Sequence, residues 1–139
     1  MVYLGSDHAG FFLKEEIKKN LTSKGTKFRD FGCFKEEFCD YPDIAKAVCK
    51  ELYLEDKAIL ICGTGVGMSI VANKFSHIRA VCASDHFSVK YSRLHNDANV
   101  LCLGARVIGV GVALELIEIF LNTSFEGGRH QKRVEKIKI

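Results

Sequence analysis

The stretch Ala58-Ile59-Leu60-Ile61-Cys62-Gly63-Thr64-Gly65-Val66-Gly67-Met68-Ser69 most limits what this chain can become. A short run of branched aliphatic residues has the length and composition of a strand buried on both faces. It stops at a cysteine. Three glycines at alternate positions then permit a tight turn with uncovered N–H groups, and Ser69-Ile70-Val71-Ala72-Asn73-Lys74 resumes with a helix-compatible pattern. Strand, glycine turn and helix start together make an anion site, because the first N–H groups of a helix lack internal partners and carry the positive end of its dipole. A thiolate is favoured beside such a start, so Cys62 is a candidate reactive thiol. The same residues also suit plainer uses: glycine turns join strands to helices in many α/β proteins, and most buried cysteines act as small apolar residues. The known nucleotide loops fit poorly, since G-x-G-x-x-G would need glycine at Met68 and no Gly-Lys-Ser/Thr triplet follows.

The flanking sequence repeats the strand-then-helix alternation. Val2-Tyr3-Leu4-Gly5 reads as a first strand ending at Ser6-Asp7-His8-Ala9-Gly10; Leu13, Ile17 and Leu21 then recur every four residues, an amphipathic helix closed near Gly25. A second strand over 27–31, an irregular segment over 32–41 and a helix opened by Asp40-Tyr41-Pro42-Asp43 follow. After the glycine turn come a fourth strand over 78–83, ending in Ser84-Asp85-His86, a helix through Val89 and Leu94, and the strand Val100-Leu101-Cys102-Leu103-Gly104. This order implies an α/β fold: a single domain over residues 1–139, built as a three-layer α/β/α sandwich on a Rossmann-like five-stranded parallel sheet. Ligands of such sheets sit beyond the carboxyl ends of the strands, which gathers Asp7, His8, residues 62–69, Asp85, His86 and His95 along one rim. Ser6, Asp7, Ser84 and Asp85 are also good helix N-caps, the plainer role expected of Asp85.

The last long helix, 110–121, is apolar almost all round, with Glu115 and Glu118 as its polar stripe. The surplus predicts a second buried contact, most simply a two-fold dimer. No C-x-x-C or zinc-type His/Cys spacing occurs among the six cysteines, so free thiols in a reducing compartment are expected and no metal site. No apolar run reaches the ~18 residues of a membrane span and no basic leader precedes the first strand, which points to a cytoplasmic protein without membrane contact. Five of the basic residues and one acid fall between Arg129 and Ile139, so the basic excess is all in this tail. Without interleaved aromatics it makes a poor nucleic-acid surface, but it suits a small anionic substrate. Arg129 and Arg133, four apart, present both guanidinium forks on one helical face, which suits a phosphate dianion and equally a plain solvated face.

Backbone donors beside a thiol and a distal cationic segment suit proton abstraction next to the carbonyl of a phosphosugar. A cysteine hydrolase and a nucleotide-binding module are the competing classes; a serine hydrolase lacks its G-x-S-x-G elbow. Taken together, Cys62-Gly63-Thr64-Gly65-Val66-Gly67-Met68-Ser69 with Asn73-Lys74, Ser6-Asp7-His8-Ala9-Gly10, Asp40-Tyr41-Pro42, His95-Asn96-Asp97-Ala98-Asn99-Val100 and Gly127-Gly128-Arg129-His130-Gln131-Lys132-Arg133 make the chain resemble the type B ribose-5-phosphate isomerases, which share a superfamily with the galactose-6-phosphate isomerase subunits.

The resemblance implies interconversion of D-ribose 5-phosphate and D-ribulose 5-phosphate through a cis-enediolate, without metal or cofactor, in a homodimer or tetramer whose subunits share active sites. It makes Cys62 the base and Thr64 its neighbour, with Gly63, Gly65, Val66, Gly67, Met68 and Ser69 holding the developing oxyanion. His95 helps open the furanose ring, with Asp7 as partner at the ring oxygen. Asn96 contacts substrate, and His8, Arg106, Arg129 and Arg133 bind phosphate, so that the segment 126–139 completes the phosphate site; the residues themselves let Tyr41 either pack over the sugar or support the turn before Pro42. Met68 stands where thiol-lacking relatives carry glutamate, which puts the chain in the thiol-using branch. A hexose 6-phosphate, allose or galactose, is the alternative substrate.

Overall fold

The structure, a computed structural model, describes residues 1–139. Strands β1 (Val2–Ser6), β2 (Phe28–Asp30), β3 (Lys57–Cys62), β4 (Ala80–Cys82) and β5 (Val100–Gly104) form one parallel sheet in the order β2-β1-β3-β5-β4. Between and after them run α1 (Phe11–Ser23), α2 (Tyr41–Glu51), α3 (Val66–Ala72), α4 (His86–Leu94), α5 (Val110–Asn122) and α6 (Arg129–Glu135).

The central strand shows why helices cover both faces. Successive side chains of a strand point to opposite sides. Ile59 and Ile61 therefore enter a core shared with Leu13, Ile17 and Leu21 of α1, Val89 of α4 and Leu116 and Phe120 of α5. Ala58, Leu60 and Cys62 enter a second core with Val48 and Cys49 of α2 and Met68 and Ala72 of α3. Each fully buried Leu or Ile contributes about 1.5–3 kcal/mol over its exposed state, which is what a two-faced aliphatic strand supplies. After β1 the chain moves outward to β2, and after β3 it moves the other way to β4, so α1 and α3 lie on opposite faces. The crevice between β1 and β3 is the switch point at which such sheets bind ligands.

Three expectations need correction. β4 spans Ala80–Cys82 rather than 78–83, because side chains take over the ladder near its start: Asn73 bonds both the amide and the carbonyl of Ala80, and Asn99 accepts from the Arg79 amide. α3 begins at Val66, not Ser69, so Gly67 belongs to the helix and not to the turn. The cysteines are not all free thiols: Cys33 and Cys39 form a disulfide across the irregular segment between β2 and α2, a pairing with no spacing signature in the sequence. The apolar surplus of α5 is present, with Val110 and Val112 exposed and Leu114, Ile119 and Leu121 half-buried.

Candidate active site

β1 and β3 end side by side, Ser6 level with Ile61. The Asp7 amide donates to the Ile61 carbonyl (3.1 Å), and Asp7 Oδ1 accepts from the Gly10 amide (3.1 Å), which turns the chain into α1. A Cβ on Gly10 would lie 2.6 Å from the Ile61 carbonyl oxygen, so only glycine lets α1 start this close to β3. His8 projects beyond that turn, its Nδ1 accepting from the Cys39 amide (3.4 Å) and its ring stacked on Phe38 at 5.1 Å.

Cys62 closes β3 nearly buried, and its Sγ accepts the Gly65 N–H at 3.1 Å. Gly65 adopts φ +83°, and its Cα packs against the Cys102 and Leu103 backbone of β5, so a side chain is excluded by both conformation and space. Thr64 Oγ1 accepts from the Val66 amide (3.3 Å). The amides of Gly63, Thr64, Gly67 and Met68 have no acceptor within the chain, leaving a row of donors beside the sulfur, while Ser69 donates its amide to the Gly65 carbonyl. Two side chains close over this loop. The Arg106 guanidinium lies against Gly63, with the Arg106 amide bonded to the Gly63 carbonyl (3.0 Å), and the Tyr41 ring lies where a Cβ of Gly67 would be, 2.7 Å away. Asp7, His8, Tyr41, residues 62–69 and Arg106 thus occupy the carboxyl edge of the sheet together.

Asp85 and His86 also lie on that edge but are otherwise engaged. Asp85 caps α4, where the Ser88 N–H holds its carboxyl below the usual range, and His86 pairs with Glu115 at 2.7 Å.

His95 is not on this rim, which corrects the grouping drawn from the sequence. α4 runs back against the strands, and His95 at its end precedes β5. β5 begins at Val100, level with Ala58, and ends at Gly104, level with Cys62. At ~3.3 Å per residue the strand alone separates the two edges by about 13 Å. The amino edge holds a second cluster: the His95 ring stacks on that of His130 (centroids 4.0 Å, planes 13° apart), Tyr91 meets His95 edge-on at 4.8 Å, and the Glu126 carboxylate sits 3.9 Å from each imidazole. His130 lies on α6 between Arg129 and Arg133, so the tail's guanidiniums and neighbouring Asn96 join His95 and not Cys62. Burial, then the neighbouring His95 and the Arg129 and Arg133 guanidiniums, push the His130 imidazole below its ordinary value, against the opposing pull of Glu126.

Ligand atoms of His95, Glu126 and His130 all lie within 4.8 Å of one another. Parallel rings aim their in-plane lone pairs side by side, however, and two guanidiniums repel a cation, so the cluster suits protons and anions better than a metal ion. No role was read for Glu126 or His130 from the sequence: Glu126 lies in the irregular link before α6 and meets His130 only through the fold of that link, which leaves no local signal.

The model of the ribose/galactose isomerase family matches residues 2–137. The chain belongs to that family. It is 47% identical to the ribose-5-phosphate isomerase B of Escherichia coli over 98% of this chain and 93% of that protein. Among solved structures, a ribose 5-phosphate isomerase of Thermotoga maritima superposes with TM-score 0.95 at 44% identity, covering 99% of this chain and 96% of that one. The ribose-5-phosphate isomerase B of Mycoplasma genitalium, solved with bound ribulose-5-phosphate, superposes with TM-score 0.90 at 38% identity, covering 98% of this chain and 92% of that one. In this isomerase-family chain the family match runs through both clusters, at the carboxyl and the amino edge alike.

Proposed function

We propose that the protein interconverts D-ribose 5-phosphate and D-ribulose 5-phosphate, and that Cys62 carries the proton. The observation that supports this most is the Cys62 sulfur under the Gly65 N–H, next to four amides that have no acceptor in the chain. In the open-chain aldose the thiolate takes the proton from C2, negative charge develops on the enediolate oxygens, the hydroxyl proton passes from O2 to O1, and the same sulfur returns its proton to C1, which leaves the carbonyl at C2. The unpaired amides of residues 63–68 are aimed where that charge develops, which is the arrangement that lowers such barriers most. Hydrogen stays within the substrate, so no redox cofactor is consumed.

The remaining roles divide between the two edges. Asp7 handles the sugar hydroxyls beside the sulfur, Tyr41 packs over the chain of the sugar, and His8 and Arg106 meet the distal anion. His95 protonates the ring oxygen during ring opening, Asn96 contacts the sugar, and Arg129 and Arg133 bind phosphate. These last four lie at the opposite edge of the same subunit, so the working site combines the carboxyl edge of one copy with the amino edge of another. The exposed apolar residues of α5 are the surface such a homodimer would cover.

Turnover of ribose 5-phosphate by purified protein, run beside allose and galactose 6-phosphates, tests the reading. Cys62→Ala is expected to lose about 10²–10⁴-fold in kcat while still binding ribose 5-phosphate. Retained turnover would remove Cys62 from the mechanism, and preference for a hexose phosphate would change the substrate but not the chemistry.

A further inference from the structure

The segment between β2 and α2 has no counterpart in the chemistry above, yet it ends against His8. Its first cysteine is anchored firmly: the Cys33 amide donates to the Ser6 carbonyl (2.6 Å), the Ser6 amide donates to the Gly32 carbonyl (2.7 Å), and the fully buried Lys14 ammonium donates to the Cys33 carbonyl (2.5 Å). Its far end leads two residues on into α2, whose Tyr41 packs on Gly67, but the stretch between the two cysteines is fixed by no core. Phe34 and Phe38 are 69% and 77% exposed, so no core burial fixes the loop, and Cys39 touches the rest of the site through His8 and through its sulfur. The bond to Cys33 is therefore the tie on the β2 side of the loop, which together with the start of α2 holds Phe38 and the Cys39 backbone against the His8 ring.

We infer that Cys33 and Cys39 are a reversible thiol–disulfide pair that positions His8, so that affinity for a phosphosugar follows the redox state of this pair. The inference rests on the reading of His8 as a substrate contact. Closing the short loop removes the freedom it would otherwise lose each time His8 is held in place for ligand, which is how pre-organisation raises affinity.

The oxidant is a low-molecular-weight disulfide such as oxidised glutathione. The Cys39 thiolate, on the more exposed residue, attacks one glutathione sulfur and releases one glutathione thiolate. The Cys33 thiolate then attacks Cys39 Sγ and releases the second. Two protein thiols lose two electrons and two protons, and both pass to the two glutathione thiols formed. Of the free cysteines, burial pushes the Cys49 thiol up to about 11 and raises those of Cys102 and Cys82, which keeps them protonated, and Cys62, the reactive thiol of the reading above, is removed in the test.

The test uses full-length Cys62→Ala protein, which binds without turnover, equilibrated in reduced or oxidised glutathione. Intact mass and peptide mapping read the Cys33–Cys39 bond, and calorimetry reads the affinity for ribose 5-phosphate. The oxidised form is expected to bind about 3–10-fold more tightly, and the double variant Cys33→Ser, Cys39→Ser to bind like the reduced form in either buffer. Two outcomes overturn the inference alone: both thiols remaining free in oxidised glutathione, or equal affinities in the two buffers while His8→Ala weakens binding. If His8→Ala leaves binding unchanged, the reading of His8 fails and this inference fails with it.

Discussion

Cys62 and His95 stand at opposite ends of one sheet, Cys62 level with the last residue of β5 and His95 before its first. No side-chain rotation spans that distance, so a reaction that uses both residues draws them from two copies of the chain. Cys62→Ala and His95→Ala proteins, each inactive alone, should therefore regain activity when their subunits are exchanged. Random reassortment makes half of the dimers mixed, each with one intact site, which gives about a quarter of the wild-type rate. No recovery after verified exchange would mean that the two residues act within one subunit or not in one reaction.

Gly67 is a helical residue kept small by Tyr41. A methyl group there falls 2.7 Å from the Tyr41 ring and turns it off the loop, although alanine suits a helix better than glycine. Gly67→Ala is expected to raise KM about 3–10-fold with melting temperature held or slightly raised. Unchanged steady-state constants would remove the Tyr41 ring from the sugar cleft.

Lys14, fully buried, bonds Asp30 at 2.7 Å, and Lys18 bonds the other oxygen of the same carboxylate at 2.9 Å. Burial lowers the Lys14 ammonium below its ordinary value; burial alone would raise Asp30, but Lys14, the Gly32 amide and Lys18 outweigh it and hold the carboxyl below the usual range. Asp30→Ala strands a buried cation and should cost roughly 3–5 kcal/mol in denaturant unfolding. Lys14→Met, which removes the cation and fills its space, should cost less. The reverse order would show that the ammonium's bond to the Cys33 carbonyl matters more than the charge left stranded without Asp30.

His130 supplies an acid-side limit on stability. Its value in the folded protein is depressed, so between that value and the unfolded ~6.5 the unfolded chain binds more protons, and stability rises with pH across the interval. The contribution is intact above ~6.5 and is lost as pH falls toward the folded value. Melting temperature should drop between neutral and mildly acidic pH, and His130→Phe, which keeps a flat ring against His95, should flatten that slope. Identical slopes for the two proteins would assign the loss to other groups.

Much of this was legible in local patterns. The two-faced strand over Ile59 and Ile61, the cap role of Asp85, the apolar surplus of α5 and the helical pairing of Arg129 with Arg133 each depend on residues within a few positions of one another. The misplaced start of α3 has a local cause: valine and glycine at Val66 and Gly67 are weak helix formers and hid the first turn. The misjudged pairs depend on how the chain folds back on itself. Cys33 meets Cys39 only because the loop folds back on β1, and His95 meets His130 only because α6 returns to the end of α4.

By itself the sequence determined the order of strands and helices, the thiol at the head of a glycine turn, and the family, because periodicity, turn chemistry and residue spacing are properties of neighbours along the chain. Tertiary structure alone decided that the catalytic candidates separate into two clusters at opposite edges, that Gly67 makes room for a ring, and that a disulfide stands behind His8. The reason is geometric: which edge of a sheet a residue reaches depends on the direction its helix returns, and which side chains meet there depends on packing between elements distant in sequence.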